Sequence, residues 1–178
     1  MSEDRIEEER QIAEEQAKHE ARLEAAGLRC VLHDLPTLHQ AVTCEPQTTV
    51  RQTIESMQRE RIGCMLIVDQ GRLVGIFTER DVLTKVAAQD VDLDHTPVSA
   101  LMTRDPEALG MDNELVYALN QMSVGGYRHI PLLNEQGDLA GVVSVRDIVH
   151  YLAALFPQDV LNLPPSPMHG IPRTPEGA

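Results

Sequence analysis

Aromatic residues and cysteines are scarce in this chain. Tryptophan is absent, aromatic residues make up 3% of the 178 residues, and the three cysteines are Cys30, Cys44 and Cys64. Because 42% of the residues are nevertheless hydrophobic, the core must be built from aliphatic side chains. An odd number of cysteines without CxxC spacing favours free thiols in a reducing compartment over a disulfide framework.

Long hydrophobic runs and basic clusters are also missing. No apolar stretch approaches the ~20 residues that a membrane-spanning helix needs, and the first residues, MSEDRIEEER, are charged where a signal peptide would be apolar. The formal net charge of −13 argues against partners that present phosphate groups, namely nucleic acids and anionic membrane surfaces. The sequence thus predicts a soluble, cytoplasmic protein that binds neither nucleic acid nor membrane.

Four segments can be distinguished along the chain. Residues 1–27 are rich in Glu, Ala, Gln and Arg and end in a glycine, which predicts a charged helix, either solvated or packed on a partner subunit. Residues 28–98 and 99–156 carry a repeated pattern. Residues 157–178 contain many prolines and little periodicity, so we expect an extended tail there.

One short stretch occurs twice and marks an internal duplication. GIFTERD runs from Gly75 to Asp81, and GVVSVRD runs from Gly141 to Asp147. Upstream of both stretches, apolar residues recur at one constant spacing: Val50 with Leu115, Ile54 with Leu119, and Met57 with Met122. A fixed order of matches over about 50 residues indicates a duplicated structural unit.

Each copy predicts the same order of secondary structure. An extended lead-in precedes a helix with apolar residues on one face, and an apolar strand follows, CMLIV or HIPLL. A glycine-containing turn then leads to a second strand that ends in the repeated stretch, and a second helix begins at once. The predicted class is α+β with two β-α-β-β-α units. Because one unit of ~50 residues has too little core to fold alone, we expect the two to pack sheet against sheet.

The repeated stretch has the chemistry of a nucleotide contact. Its hydroxyl residue, Thr78 or Ser144, is predicted to lie where a strand ends and a helix begins, where unpartnered amide groups attract phosphate. The aspartate one helical turn later, Asp81 or Asp147, can accept hydrogen bonds from both adjacent hydroxyls of a ribose. The preceding arginine offers a partner for phosphate, and the glycine permits close approach of the backbone.

A purely structural interpretation accounts for either copy on its own. A Ser or Thr before a helix, with Asp in the first turn, is ordinary N-terminal capping. Two copies in register after the same β-α-β-β order favour a ligand site. The chain contains no P-loop, nucleophile elbow or zinc-protease motif. We therefore predict neither an enzyme nor a metal site, and hydrolysis in the repeated sites stays an alternative.

The chain resembles a tandem pair of CBS domains, a Bateman module, over about residues 36–156. The resemblance rests on the duplicated order of elements, the pattern G-h-x-[ST]-x-x-D in both copies, and the stretches IGCMLIVD, YRHIPLL and MTRDP. It implies two clefts between the sheets, pseudo-twofold symmetry, a disc-shaped homodimer and binding of AMP, ADP or ATP. A role for Mg²⁺ is left open, and no cofactor is required.

The resemblance also implies two sets of nucleotide-binding residues. The main cleft, around Ser144 and Asp147, should use Thr43, Arg128, His129, Ile130, Pro131, Gly141, Ser144, Arg146 and Asp147. The second cleft, around Thr78 and Asp81, should use Ile62, Gly63, Cys64, Gly75, Thr78, Arg80, Asp81 and Ala108. Because Ala108 replaces the hydroxyl that Thr43 supplies, and Gly63 and Cys64 replace Arg128 and His129, the main cleft is predicted to bind more tightly.

The predicted function is therefore that of a non-enzymatic, nucleotide-sensing regulatory module that acts in trans on an unknown protein target. Two alternatives remain. One is a structural or dimerisation scaffold without ligands in its clefts. The other is a module that binds another adenosyl ligand, such as NAD or S-adenosylmethionine.

Overall fold

The computed structural model describes residues 27–36, 38 and 40–155, together with the single positions 10, 12, 14, 17, 18 and 21. The helix predicted over residues 1–27 and the tail predicted over 157–178 fall almost wholly outside the described residues. The two repeats lie within them.

The first repeat forms a sheet of four strands with a long helix against it. Its elements are β1 (Thr43–Cys44), α1 (Val50–Glu60), β2 (Cys64–Asp69), β3 (Arg72–Thr78), α2 (Glu79–Asp81) and a π-helical turn, Val82–Val86. After a 3₁₀ turn at Val98–Ala100, the start of the second repeat contributes β4 (Thr103–Arg104), which completes the sheet in the order β1-β2-β3-β4.

The second repeat forms a three-stranded sheet in the order β5-β6-β7. Its elements are β5 (Leu109–Gly110), α3 (Leu115–Gly125), β6 (His129–Leu133), β7 (Leu139–Ser144) and α4 (Val145–Leu155). In each repeat the short first strand runs parallel to the second, and the second and third are antiparallel with one register shift. The predicted α+β fold with two β-α-β-β-α units is confirmed.

Local hydrogen bonds and backbone conformation fix the two ends of α1. Thr49 caps α1, with its side chain accepting from the Gln52 amide while the Gln52 side chain bonds back to the Thr49 amide. The predicted apolar face is buried at Val50 and Met57. Arg61 ends the helix in the left-handed conformation, with φ of 54°.

Among the described residues, three hydrophobic clusters make up the core; they are mostly aliphatic, and the aromatic Phe77 is fully buried in one of them. One lies within each repeat, between its long helices and its sheet. The third joins the two sheets face to face, because Cys64, Leu66 and Ile76 of the first sheet pack against Leu139 and Val142 of the second. Sheet-to-sheet packing, as predicted, therefore brings the junctions between strands and helices of the two repeats together.

The second helix of the first repeat is less regular than its counterpart. After α2, the amide of Ala87 donates to the carbonyl of Val82 at 2.8 Å, as in a π-helix. The segment contains β-branched residues, whose side chains restrict helix formation, and Thr84 donates its hydroxyl to the carbonyl of Arg80 at 2.8 Å. The corresponding helix α4 continues for 11 residues.

Candidate functional site

Two clefts lie where the repeats meet. The main cleft has a volume of about 490 Å³ and contains Ser144 and Asp147. The second cleft has a volume of about 450 Å³ and contains Thr78 and Asp81. Both volumes are in the range of small-molecule sites, about 300–1,000 Å³. Gly63, Glu79, Arg128 and His129 line both clefts, so the two are immediate neighbours.

Each cleft draws side chains from both repeats. In the main cleft, Ser144 and Asp147 of the second repeat face a set from the first that includes Gln40, Val42, Glu60, Arg61, Ile62 and Cys64. In the second cleft, Thr78 and Asp81 of the first repeat face a set from the second that includes Thr103, Asp105, Pro106, Glu107, Gly126 and Tyr127.

The structure brings part of the predicted main-cleft set to the cleft itself. Its lining includes Arg128, His129, Ser144, Arg146 and Asp147. Thr43 is exposed on β1, next to the lining residue Val42, whereas Ile130, Pro131 and Gly141 are buried within β6 and β7. Whether any of these residues contacts a nucleotide stays a prediction.

The predicted second-cleft set is divided between the two clefts. Gly63, Thr78, Arg80 and Asp81 line the second cleft, whereas Ile62 and Cys64 line the main cleft. Gly75 is buried in β3, where a Cβ would lie 2.3 Å from the Met102 sulfur, and Ala108 is half-buried just before β5. Gly75 thus leaves room for the Met102 side chain to pack against β3.

The repeated stretches form two nearly identical capping boxes. The Ser144 amide and hydroxyl donate to Asp147 Oδ2 at 2.8 and 2.7 Å, and the Asp147 amide donates to Ser144 Oγ at 3.3 Å. The Thr78 and Asp81 groups repeat all three bonds at the same distances. The capping role is therefore present in both copies, and it holds each carboxylate at the edge of a cleft.

Asp81 has an ionic partner within its own repeat. Asp81 Oδ1 lies 2.7 Å from the Lys85 ammonium, which also donates to the carbonyl of Leu101 at 2.7 Å. In the second repeat the equivalent of Lys85 is Tyr151, whose hydroxyl donates to the carbonyl of Gly27 at 3.2 Å. The charge of Asp81 is thus compensated locally by a lysine that the second repeat does not supply at that position.

His129 and Gly63 meet at the boundary between the clefts. A Cβ on Gly63 would lie 2.9 Å from Cε1 of His129, so the absence of a side chain makes room for the imidazole. Nearby, the Glu79 amide donates to the carbonyl of Gly63 at 3.1 Å and the Val145 amide donates to that of Arg128 at 3.0 Å. These equivalent bonds tie each second helix to the start of a strand in the same repeat.

Burial controls the protonation of two groups at this boundary. Desolvation lowers the pKa of His129, an effect opposed by Glu79 and reinforced by Arg128. The shift favours the neutral imidazole. Desolvation, with smaller contributions from Glu79 and Asp147, raises the pKa of the Cys64 thiol to about 12. All three cysteines are free, and Cys64 is a protonated thiol that fills apolar space.

Several lining residues went unnoticed in the sequence, among them three that lie beside predicted ones. Glu79 lines both clefts, Arg61 lines the main cleft and Tyr127 lines the second. Each lies next to a predicted residue in sequence, and only the packing of the repeats shows which cleft it faces. Across the described part of the chain, no group of three or more His, Cys, Asp and Glu side chains could hold a metal ion. None of the described helices has the length and apolarity to cross a bilayer.

Comparison with protein families gives two matches in one chain. The model of the CBS domain matches residues 33–88 and again residues 98–154. Among curated proteins, an uncharacterised 17.7 kDa protein of Acidianus ambivalens is 35% identical over 109 residues. That match covers 61% of this chain and 65% of the relative, slightly less than two thirds of its length.

Solved structures have the same arrangement of elements. The CBS-domain-containing protein ATU1752 of Agrobacterium tumefaciens is 29% identical with a TM-score of 0.63, and the match covers 68% of this chain and 98% of that one. The CBS domain protein PAE2072 of Pyrobaculum aerophilum, complexed with AMP, is 25% identical with a TM-score of 0.62. That match covers 70% of this chain and 99% of the other.

Proposed function

The chain belongs to the CBS-domain family, and from this premise we propose that it is a non-enzymatic regulatory module that binds an adenine nucleotide between its repeats. The observation that carries the proposal is the composition of the main cleft. A cavity of about 490 Å³ is lined by the Ser144–Asp147 capping box and by three arginines, Arg61, Arg128 and Arg146. Guanidinium groups recognise phosphate, and a helix N-terminus favours an anion.

The proposed roles follow from the chemistry of each group. Asp147 accepts hydrogen bonds from the ribose hydroxyls, and the arginines bind phosphate. Ser144 donates to phosphate or ribose after exchanging its present bond with Asp147. The aliphatic side chains of Val42 and Ile62 provide the apolar surface for the adenine.

The relative with a bound nucleotide supports this choice of ligand. The P. aerophilum protein is described as complexed with AMP, and 70% of this chain aligns with it. The candidate ligands are AMP, ADP and ATP, and a role for Mg²⁺ in their binding is left open. Because the identity is 25%, the choice among them rests on direct measurement.

Regulation would operate by differential binding. A nucleotide in either cleft contacts both repeats, so it favours the relative arrangement of the repeats that it binds more tightly. The size of the effect equals the difference in binding free energy between arrangements. The target is proposed to be a separate protein that recognises one arrangement, and the site of action is proposed to be the cytoplasm.

A homodimer is the proposed assembly. The second repeat exposes large apolar side chains on both of its helices, with Tyr117 and Val124 on α3 and Val149 on α4. Val124 is 80% exposed and Tyr117 is 56% exposed. Contacts between apolar helix faces are a common basis for dimers, and a second copy would cover these residues.

The experiment that tests the function is thermal unfolding with AMP, ADP, ATP, NAD and S-adenosylmethionine. A ligand at ~100 times its dissociation constant adds about 2.7 kcal/mol to the free energy of unfolding, which raises Tm by several degrees in a domain of this size. We expect AMP or ATP to produce this rise. Asp147→Asn should abolish most of it, because the substitution removes a charged acceptor for ribose.

Asp81→Asn is the matched control, because the same change then affects the second cleft. If Asp81→Asn removed the AMP response and Asp147→Asn preserved it, the assignment of the main cleft would be wrong. If no ligand changed Tm, the proposal of a nucleotide-sensing module would be rejected in favour of a structural scaffold. Disappearance of nucleotide during overnight incubation with the protein would show an enzyme.

A further inference from the structure

The leading segments of the two repeats carry different charges at equivalent positions. Cys44 and Leu109 are equivalent, because each pairs with the strand residue that lies opposite the motif glycine. The lining residues that precede them therefore correspond in pairs: Gln40 with Asp105 and Val42 with Glu107. A neutral amide and an alkyl group in the main cleft are replaced by two exposed carboxylates in the second.

The residues that end the long helices also make the second cleft less positively charged than the main cleft. Arg61 and Gly126 are the equivalent C-terminal residues of α1 and α3, and both have left-handed backbones, with φ of 54° and 69°. Arg61 lines the main cleft and adds a cationic residue to it. Gly126 contributes only backbone to the second cleft, and its carbonyl accepts a hydrogen bond from Arg80 at 3.2 Å.

The charge balance of the two clefts follows from these replacements. Glu79 and Arg128 line both clefts and do not distinguish them. Beyond this shared pair, the main cleft balances two carboxylates, Glu60 and Asp147, with the guanidinium groups of Arg61 and Arg146. The second cleft has the carboxylates Asp81, Asp105 and Glu107 against the single guanidinium of Arg80. Even with Asp81 neutralised by Lys85, the second cleft is the more acidic.

The second cleft also has an aromatic wall that the main cleft lacks. Tyr127 and Ile62 are equivalent, since each lies two residues before the second strand of its repeat. Tyr127 lines the second cleft with 41% of its surface exposed. Its ring covers Gly125, where a Cβ would lie 2.2 Å from Cε2. An exposed ring held against a glycine is suited to stacking on a heteroaromatic base or facing a cation.

We propose that the clefts are specialised by charge: the main cleft takes the phosphorylated nucleotide, and the second takes an uncharged or cationic nucleoside that stacks on Tyr127. Asp105 and Glu107 repel phosphate and attract a cationic substituent, whereas Asp81 accepts from ribose hydroxyls as Asp147 does. The inference rests on the proposed function, because it assumes that both capping boxes hold ribose. It makes the module a sensor of two different ligands.

The test assigns each ligand to a cleft by NMR of the full chain. AMP, adenosine and S-adenosylmethionine are titrated separately, and the amides of Thr78 and Tyr127 report the second cleft while those of Ser144 and Arg146 report the main cleft. We expect AMP to shift the main-cleft amides and the other two compounds to shift the second-cleft amides. AMP binding equally well to both clefts would overturn the proposal.

Charge exchange between equivalent positions provides the matched variants. The double variant D105Q/E107V gives the second cleft the residues of the main cleft, and Q40D/V42E makes the reverse change. Removing two carboxylates that repel phosphate should be worth on the order of one tenfold step in affinity, so we expect D105Q/E107V to raise AMP affinity at the second cleft about tenfold. It should also weaken S-adenosylmethionine about tenfold and leave adenosine unchanged. Q40D/V42E should weaken AMP at the main cleft about tenfold.

The outcomes separate this inference from the function on which it rests. If AMP binds the main cleft and no compound binds the second, the nucleotide sensor stands and the charge specialisation fails. If none of the three compounds shifts amides in either cleft, both fail. If D105Q/E107V leaves the affinities for AMP and S-adenosylmethionine unchanged, Asp105 and Glu107 do not determine selectivity, and the proposal is overturned.

Discussion

The boundary between the clefts is decided by two small residues of the first repeat. Gly63 leaves space for the imidazole of His129, and Cys64 occupies the position that His129 has in the second repeat. The duplication is therefore asymmetric where the clefts meet. Since a side chain at Gly63 would crowd the imidazole of His129, the asymmetry makes it possible to pack the two junctions side by side.

Cys64 should be almost inert toward alkylation in the folded chain. With a pKa of about 12, its thiolate fraction at pH 8 is roughly a thousandfold below that of an ordinary cysteine. We expect iodoacetamide to modify Cys64 at least about a hundredfold more slowly in the native protein than in urea, as measured by peptide mass spectrometry. Native and denatured rates within a factor of about ten would contradict the protonated, buried thiol.

At the scale of elements, each capping box has a structural role and also lies at the edge of a cleft. The Ser144 hydroxyl bonds to the Asp147 carboxylate, and the same two groups form one wall of the main cleft. The sequence showed both interpretations, and the structure contains the capping bonds in full. The capping bonds already stabilise the start of α4 and hold Ser144 and Asp147 in place, so the site is preorganised. A bound ligand would then exchange with these bonds.

Replacing Ser144 should show how much the cap contributes to stability in the absence of ligand. Ser144→Ala removes the acceptor for the Asp147 amide and the donor to its carboxylate, and loss of such a cap costs about 0.5–2 kcal/mol. We expect urea denaturation without nucleotide to show this decrease in the free energy of unfolding. Ser144→Thr keeps a hydroxyl and should remain within about 0.5 kcal/mol of the original. An alanine variant as stable as the original would mean that the cap contributes no stability without ligand.

Local elements were easier to predict from the sequence than the walls of the clefts. Helices α1 and α3 follow from apolar residues such as Val50 and Met57 on one face, and the strand–helix junctions follow from the duplicated stretch. These signals are local. Arg61 and Tyr127 reach their clefts through the packing of one repeat on the other, which periodicity does not report. The π-helical turn after α2 occurs together with side-chain hydrogen bonds of Thr84 and Lys85, and the periodicity of the sequence does not predict it.

At the scale of the whole molecule, net charge and exposed apolar surface have opposite effects on association between copies of the chain. A formal charge of −13 favours repulsion between copies. The exposed apolar side chains of α3 and α4 favour association. A stable dimer requires the apolar contacts to prevail, and this is where the proposed assembly can be tested.

Substitution of Val124 and Val149 should convert the protein to a monomer. We expect analytical ultracentrifugation of the full chain to give about twice its mass of 19.8 kDa, and V124K/V149K to give the monomer, because burying two ammonium groups in an apolar contact is costly. Lysine lowers the net negative charge, so dissociation would not result from general repulsion. Gln136→Lys, in the exposed turn between β6 and β7, is the control and should remain dimeric. A V124K/V149K variant that stays dimeric would place the interface on another face.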